Sequence, residues 1–454
     1  MENQTGKPFW TKVKIFLVSV GPGLFLIGYN IGTGSVTTMA KSGAEYGMDL
    51  FWSLALAAIF TYVLMVAYGQ VTLVTGKTSL NNIKHEFKTW GKPLAIYILI
   101  AVILGEILAL MGIMGIVSEL LDEALRLISG TSNSLMPQGL LNLAQDQTSS
   151  IPAIIRFALS RQTFWITFVL CIGLYYLLWY GRYPSFEKVL TFFVIQMGVC
   201  FIIVFVMMKP DIAAIVKGLV PKVPRSRVEF ELIAAAAGTT CSAALFVMRS
   251  IVVAEKGWTI NDLKNEKKDA AVSAIMMWFL SAIIMAVAAG TLYVMKLKLN
   301  NTVEMVKLFE PIGGKFAAFI LILGVTGAGL STVFPIVLIA PWLLCDYLNK
   351  PRDIRSPMFR ALGFAGILFC FGMQFMKQQP PVLMVASQAF QACILPAVVL
   401  PIWILVNRKN VMGSHIAGAG TNIGIGLVFL YSLFTTYCAI ASMPWDMIRS
   451  WFAG

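Results

Sequence analysis

Short polar breaks divide this chain into about eleven apolar blocks, each near the ~20 residues that carry an α-helix across a bilayer. The blocks run over 16–40, 48–74, 94–118, 162–180, 186–208, 231–254, 270–295, 315–345, 358–376, 382–406 and 417–442. They are apolar on every side. Barrel strands, by contrast, alternate apolar and polar residues over ~10 positions, so a β-barrel is excluded. Composition agrees: 58% of residues are hydrophobic and 13% are charged, about half the ~25% charge of a soluble domain. The expected fold class is an all-α polytopic membrane protein with lipid over much of its surface.

The N-terminal stretch 1–15 is polar and basic and reads as a cytoplasmic tail; no small-residue cleavage site follows the first block. The seven cysteines form no CxxC pair and lie mostly inside apolar blocks, where they act as small buried hydrophobes. The formal charge of +13 does not point to nucleic acid. Its lysines and arginines lie between spans, where lipid phosphates and the positive-inside rule account for them. The bias toward one side is weak, because 209–230 places several bases on the other. The longest interruption, 119–161, opens with the amphipathic run SELLDEALRLI and predicts a short surface helix and a loop.

Two spans carry clusters that oppose helix continuity. The first contains Gly28-Tyr29-Asn30-Ile31-Gly32-Thr33-Gly34-Ser35 and the sixth contains Gly238-Thr239-Thr240-Cys241-Ser242. Glycine costs ~1 kcal/mol in a helix, and Ser and Thr compete for their own backbone. Unwound backbone at mid-membrane survives only when buried in protein or lining a cavity. The clusters sit five spans apart, in matching positions of spans 1–5 and 6–10. Such a pair points to an inverted-repeat transporter whose site lies where the repeats meet. Close helix packing through small residues is the plainer reading of either cluster alone.

Several motifs resemble the Nramp family of proton-coupled divalent-metal transporters. They are GPG at 21–23, the stretch Ala44-Glu45-Tyr46-Gly47 through Trp52, GRYPSFEKVL (181–190) leading to MKPDIAAIVKGLVP (208–221), GAGLST (327–332), and SQAFQACILPAVVLPIW with NRKNVMG (387–413). The resemblance covers spans 1 through 10 in order. It implies a LeuT-type fold, two inverted five-helix repeats at 16–208 and 231–406 with spans 1 and 6 broken, and an additional helix at 417–442. The family's first broken helix carries Asp-Pro-Gly-Asn; here those positions hold Gly32, Thr33, Gly34 and Ser35. Its sixth-span Met and Ala positions fall on Ser242 and Thr239. Its sixth-span histidine falls on Arg249, and of its third-span acidic pair only Glu106 remains. Gln388 matches a tenth-span glutamine that approaches substrate, and Arg360 a ninth-span arginine of the proton network.

A dehydrated transition metal needs carboxylate, imidazole or thioether ligands. Gly32, Thr33, Gly34, Ser35, Thr239, Thr240 and Ser242 offer none, so no metal ligands are expected there. Restarted half-helices instead present free N–H groups and a positive dipole end, which suit an anion. Arg249 would add charge to such a site, or else form a structural ion pair with Glu106 as its nearest candidate partner. The expectation is a secondary transporter for a small oxyanion or carboxylate such as bicarbonate, with substrate held at 32–35, 239–240, 242 and 388. Arg249, Glu106 and Arg360 would serve coupling or gating. A divalent cation, Mg²⁺ or Mn²⁺, is the alternative carried by the resemblance. A passive channel would need a filter that is not visible, and an enzyme would need a catalytic dyad within the spans, which contain no histidine. No cofactor is expected beyond a coupling ion, H⁺ or Na⁺. The expected partners are the inorganic ion and the lipid bilayer, in a monomer of a bacterial inner (plasma) membrane.

Overall fold

The computed structural model describes residues 21–130, 152–180, 183–208, 211–307, 310–376 and 378–443. The expected tail at 1–15 lies outside the described residues, as do 131–151 of the long interruption. All regular structure among the described residues is helical. α1 (Gly21–Asn30) and α2 (Thr33–Tyr46) form a broken first span, and α3 (Phe51–Thr75) the second. Short α4 (Ser79–Glu86) leads to α5 (Gly91–Ser129), and α6 (Ala153–Leu159) to α7 (Gln162–Tyr180) and α8 (Tyr183–Met208). After α9 (Ile212–Lys217) comes a second broken span, α10 (Arg227–Thr240) and α11 (Ala243–Glu255). α12 (Leu263–Ala288) ends in a π turn at Ala289–Tyr293, and α13 (Thr302–Lys307) precedes α14 (Glu310–Tyr347). α15 (Pro357–Phe369), α16 (Pro380–Val406), α17 (Lys409–Met412) and α18 (Ala419–Ser442) complete the chain.

Nine segments among the described residues are long and apolar enough to cross a membrane. The α1–α2 pair and α8 supply the other two of the expected crossings. Four crossings, α3, α5, α7 and α8, separate the two broken spans, which therefore run in opposite directions; the breaks meet where Ser35 of one shares a hydrogen bond with Thr239 of the other.

The structure corrects two expectations. The run SELLDEALRLI does not form a separate surface helix but continues α5 to Ser129, where Gly130 takes a left-handed conformation at φ 70°. No glycine or proline interrupts that run, and its Leu120 and Ala124 extend the buried face of the span. The breaks are also narrower than the Gly/Ser/Thr clusters. Only Ile31 and Gly32 leave the helix in the first, and Cys241 and Ser242 in the second. Thr33, Gly34 and Ser35 already form the first turn of α2, while Gly238, Thr239 and Thr240 form the last turn of α10.

Small residues set how closely the helices cross. A Cβ on Gly238 would collide with the carbonyl of Gln388, so α10 lies directly on the α16 backbone. A Cβ on Gly34 would come within 2.7 Å of Met384 Cε and 2.8 Å of Gln388 Nε2.

Candidate functional site

Each break leaves carbonyls and amides without helical partners, and in lipid every such group needs one. Hydroxyls and amides from other spans answer the carbonyls. Thr61 Oγ1 donates to Thr240 O at 2.8 Å, and Asn30 Nδ2 reaches the same oxygen at 3.3 Å. Thr332 Oγ1 and Ser331 Oγ donate to Gly28 O at 3.0 and 3.3 Å. Ser35 ties the breaks together: its hydroxyl donates to Asn30 O at 2.8 Å and shares a hydrogen bond of 2.7 Å with Thr239 Oγ1. The Ser and Thr residues that weaken the helices thus also stabilise the ends they create.

Between the breaks lies a cavity of about 30 Å³, room for one or two waters. Of the residues expected at the site, Gly32, Gly34, Thr239, Ser242, Gln388 and Glu106 line it. Thr33, Ser35 and Thr240 are buried beside it without lining it. The two arginines are elsewhere. Arg360, on α15, stacks over the Trp179 ring at 4.0 Å and donates to Trp179 O at 3.2 Å.

Arg249 does not pair with Glu106, and that expectation is corrected. Its Nε and Nη2 donate to Glu266 Oε1 at 2.9 and 2.7 Å, Nη2 reaches Glu266 O at 3.3 Å, and Nη1 pairs with Asp269. All three side chains are 0% exposed. The partners come from the first turns of α12, within the charged run LKNEKKDA leading into the block expected at 270–295. Two carboxylates more than offset the guanidinium, so Arg249 lends no positive charge to the cavity.

Among the described residues, Glu106 is the one formally charged side chain lining the cavity. It is 4% exposed. Tyr29 OH donates to its Oε1 at 2.7 Å and Gln391 Nε2 donates to the same oxygen at 2.9 Å. Ser242 Oγ donates in turn to Gln391 Oε1 at 2.5 Å. A chain of hydrogen bonds therefore runs from the first span through the third and tenth to the sixth. Because both donors use Oε1, Oε2 is left for whatever the cavity holds.

Sequence reasoning missed Tyr29, Asn30, Thr332, Met384 and Gln391, all of which line the cavity. Some carried a signal. Asn30 is next to the first break, Thr332 ends GAGLST, and Gln391 lies one turn beyond Gln388. Met384 matters most chemically. The expectation that the site lacks every metal-binding group considered spans 1 and 6 alone, but span 3 brings a carboxylate and span 10 a thioether. The cavity is therefore lined by a carboxylate side chain, a thioether side chain, and the amide side chains of Asn30 and Gln388. Such a donor set suits a divalent cation of intermediate softness.

Comparison with known proteins agrees with this architecture. The family profile described as natural resistance-associated macrophage protein-like (Nramp) matches residues 23–137 and 139–442. A relative from Pectobacterium carotovorum, the divalent metal cation transporter MntH, is 23% identical over 446 residues, covering 95% of this chain and 96% of its own length. The Eremococcus coleocola manganese transporter superposes with a TM-score of 0.64 at 14% identity, covering 97% of this chain and 88% of that one. MhsT, solved with L-phenylalanine, superposes with a TM-score of 0.61 at 12% identity, over 93% and 98% of the two chains. The fold is thus the LeuT-type 5+5 inverted repeat, with spans 1 and 6 broken. With the profile matched along nearly its whole length, the chain belongs to the Nramp family of multi-pass membrane transporters.

Proposed function

We propose that this transporter carries a divalent metal cation, Mn²⁺ in preference to Mg²⁺, by alternating access around the cavity between the two breaks. The observation that carries the proposal is Glu106, a buried carboxylate whose two hydrogen bonds both go to Oε1 and which, among the described residues, has no basic side chain beside it in the cavity. A divalent cation supplies the missing positive charge. Met384 adds the softer donor that separates Mn²⁺ from Mg²⁺. The named activity of the Pectobacterium relative supports the same reading. Coupling to H⁺ follows if Glu106 exchanges a proton for the cation; Na⁺ is the other coupling ion to test.

One observation favours a second reading, a small oxyanion such as bicarbonate. The N-caps of α2 and α11, Gly32 and Ser242, make no side-chain capping bond, which leaves first-turn amides at both breaks for an anion. Against it stand the carboxylate in the cavity and the small volume, which a four-atom oxyanion would have to expand. Uptake of radiolabelled Mn²⁺, Mg²⁺ and bicarbonate by the purified protein in liposomes separates the readings. Saturable Mn²⁺ uptake lost in Glu106→Gln is expected. Saturable bicarbonate uptake without Mn²⁺ uptake would overturn the proposal and leave the anion reading.

A further inference from the structure

A second polar cavity, of about 500 Å³, lies where α5 ends and α7 begins. It shares no lining residue with the central one. Glu119 and Glu106 are both on α5, 13 residues apart, which is roughly 20 Å along the helix.

The charges there do not balance. Among the described residues, Glu119, Asp122, Glu123 and Glu304 line the cavity with only Arg126 and Arg161 against them, leaving two net negative charges. The pairs are partial. Arg126 holds Asp122 Oδ2 at 2.8 Å, and Arg161 lies 3.5 Å from Glu119 Oε1. Glu304 is occupied in capping, accepting from the amides of Asn300 and Asn301 at 2.6 and 3.2 Å. Asp122 Oδ1 is buried with no partner.

An independent observation points to a ligand. Gln162, at the start of α7, is 3% exposed and lines this cavity, yet neither its Oε1 nor its Nε2 has a hydrogen-bond partner. A buried amide left unpaired costs free energy on both atoms. Its retention beside an unpaired carboxylate oxygen makes sense where a polar occupant completes both.

We infer that this cavity binds a divalent cation that keeps its water shell. No group of three carboxylate, imidazole or thiol side chains among the described residues lies close enough to hold a bare ion. The cavity is far larger than a bare ion needs. A hydrated cation fits both facts, because its charge answers the net negative wall and its bound waters donate to Asp122 Oδ1 and Gln162 Oε1 once these buried side chains turn into the cavity. Gln162 Nε2 then donates to a further water of the cavity. This site stands whether or not the central cavity carries metal.

The test uses the full-length protein in detergent, with Glu106→Gln as background so that heat from the central cavity is removed. Calorimetric titration with Mg²⁺ is compared with hexaamminecobalt(III), an exchange-inert mimic of a hydrated cation that cannot form inner-sphere bonds. Saturable binding of both, in mutual competition, is expected. Asp122→Asn and Gln162→Leu should each weaken it about tenfold or more. Gln162→Leu guards against misfolding, since leucine relieves an unpaired amide. It should melt no lower than the parent and lose the parent's Mg²⁺-induced rise in melting temperature. Binding of Mg²⁺ without hexaamminecobalt(III), no saturable binding of either, or binding unchanged in both variants would overturn the inference. Loss of metal uptake in the liposome assay with this binding intact would defeat the transport reading alone.

Discussion

Arg249→Ala tests what the buried arginine does. The substitution removes four hydrogen bonds and strands two carboxylates, Glu266 and Asp269, in a site from which water is excluded. Breaking a buried pair from one side costs about 3–5 kcal/mol, since the surviving charges keep their desolvation penalty without compensation. A melting-temperature fall on the order of 3–5 °C follows, read by tryptophan fluorescence in detergent. Replacing all three residues together, as Arg249→Met with Glu266→Gln and Asp269→Asn, removes the charges as well as the bonds and should recover most of the loss. Such a triple variant should also keep measurable uptake, because none of the three side chains lines the central cavity. Adding Glu106→Gln to Arg249→Ala should give no rescue. The reasoning fails if Arg249→Ala melts like the parent, or if Glu106→Gln restores its stability, which would put Glu106 back as the partner.

Three further outcomes follow. Gly238→Ala sets a methyl against the Gln388 carbonyl and should cost about 1–3 kcal/mol of stability by overpacking, seen as a lower melting temperature and reduced folded yield. Ser242→Ala removes the 2.5 Å hydrogen bond to Gln391 Oε1, leaving a buried acceptor unpaired at a cost of about 1–3 kcal/mol; uptake should fall more than melting temperature as Gln391 loses its hold on Glu106. Met384→Leu conserves volume but removes sulfur, so the ratio of Mn²⁺ to Mg²⁺ uptake should drop while folding is kept, and an unchanged ratio would show that the thioether does not select the ion.

The sequence exposed the fold well because membrane spans announce themselves by length and hydropathy. The two breaks were legible for a local reason: glycine, serine and threonine were clustered where neither lipid nor core packing asks for them. Their limits were less legible. A helix can begin directly at Thr33 or run to Thr240, since the residues that weaken it inside also satisfy its ends. Partnerships across the fold were not readable. The partners of Arg249 sit 17 and 20 positions later in a run of lysines and acids, and only the fold, which packs α12 on α2 and α3, shows that two of those acids turn inward. Met384 was invisible for the opposite reason. In a chain with 23 methionines, one that faces a cavity looks like all those that face lipid or core.

α5, with 39 residues, is about 58 Å long, nearly twice the ~30 Å hydrocarbon core. It therefore behaves as a stiff beam supported along only part of its length. Glu106 sits near the supported middle, and Glu119 and Asp122 sit toward the far end. A tilt of about 5° pivoting at Glu106 sweeps the Glu119 carboxylate through roughly 2 Å, from ~20 Å of helix between them. That sweep exceeds the tolerance of a hydrogen bond. Any rocking that reshapes the middle of the beam must also redraw the charged cleft at its end, so the two cavities cannot be adjusted separately.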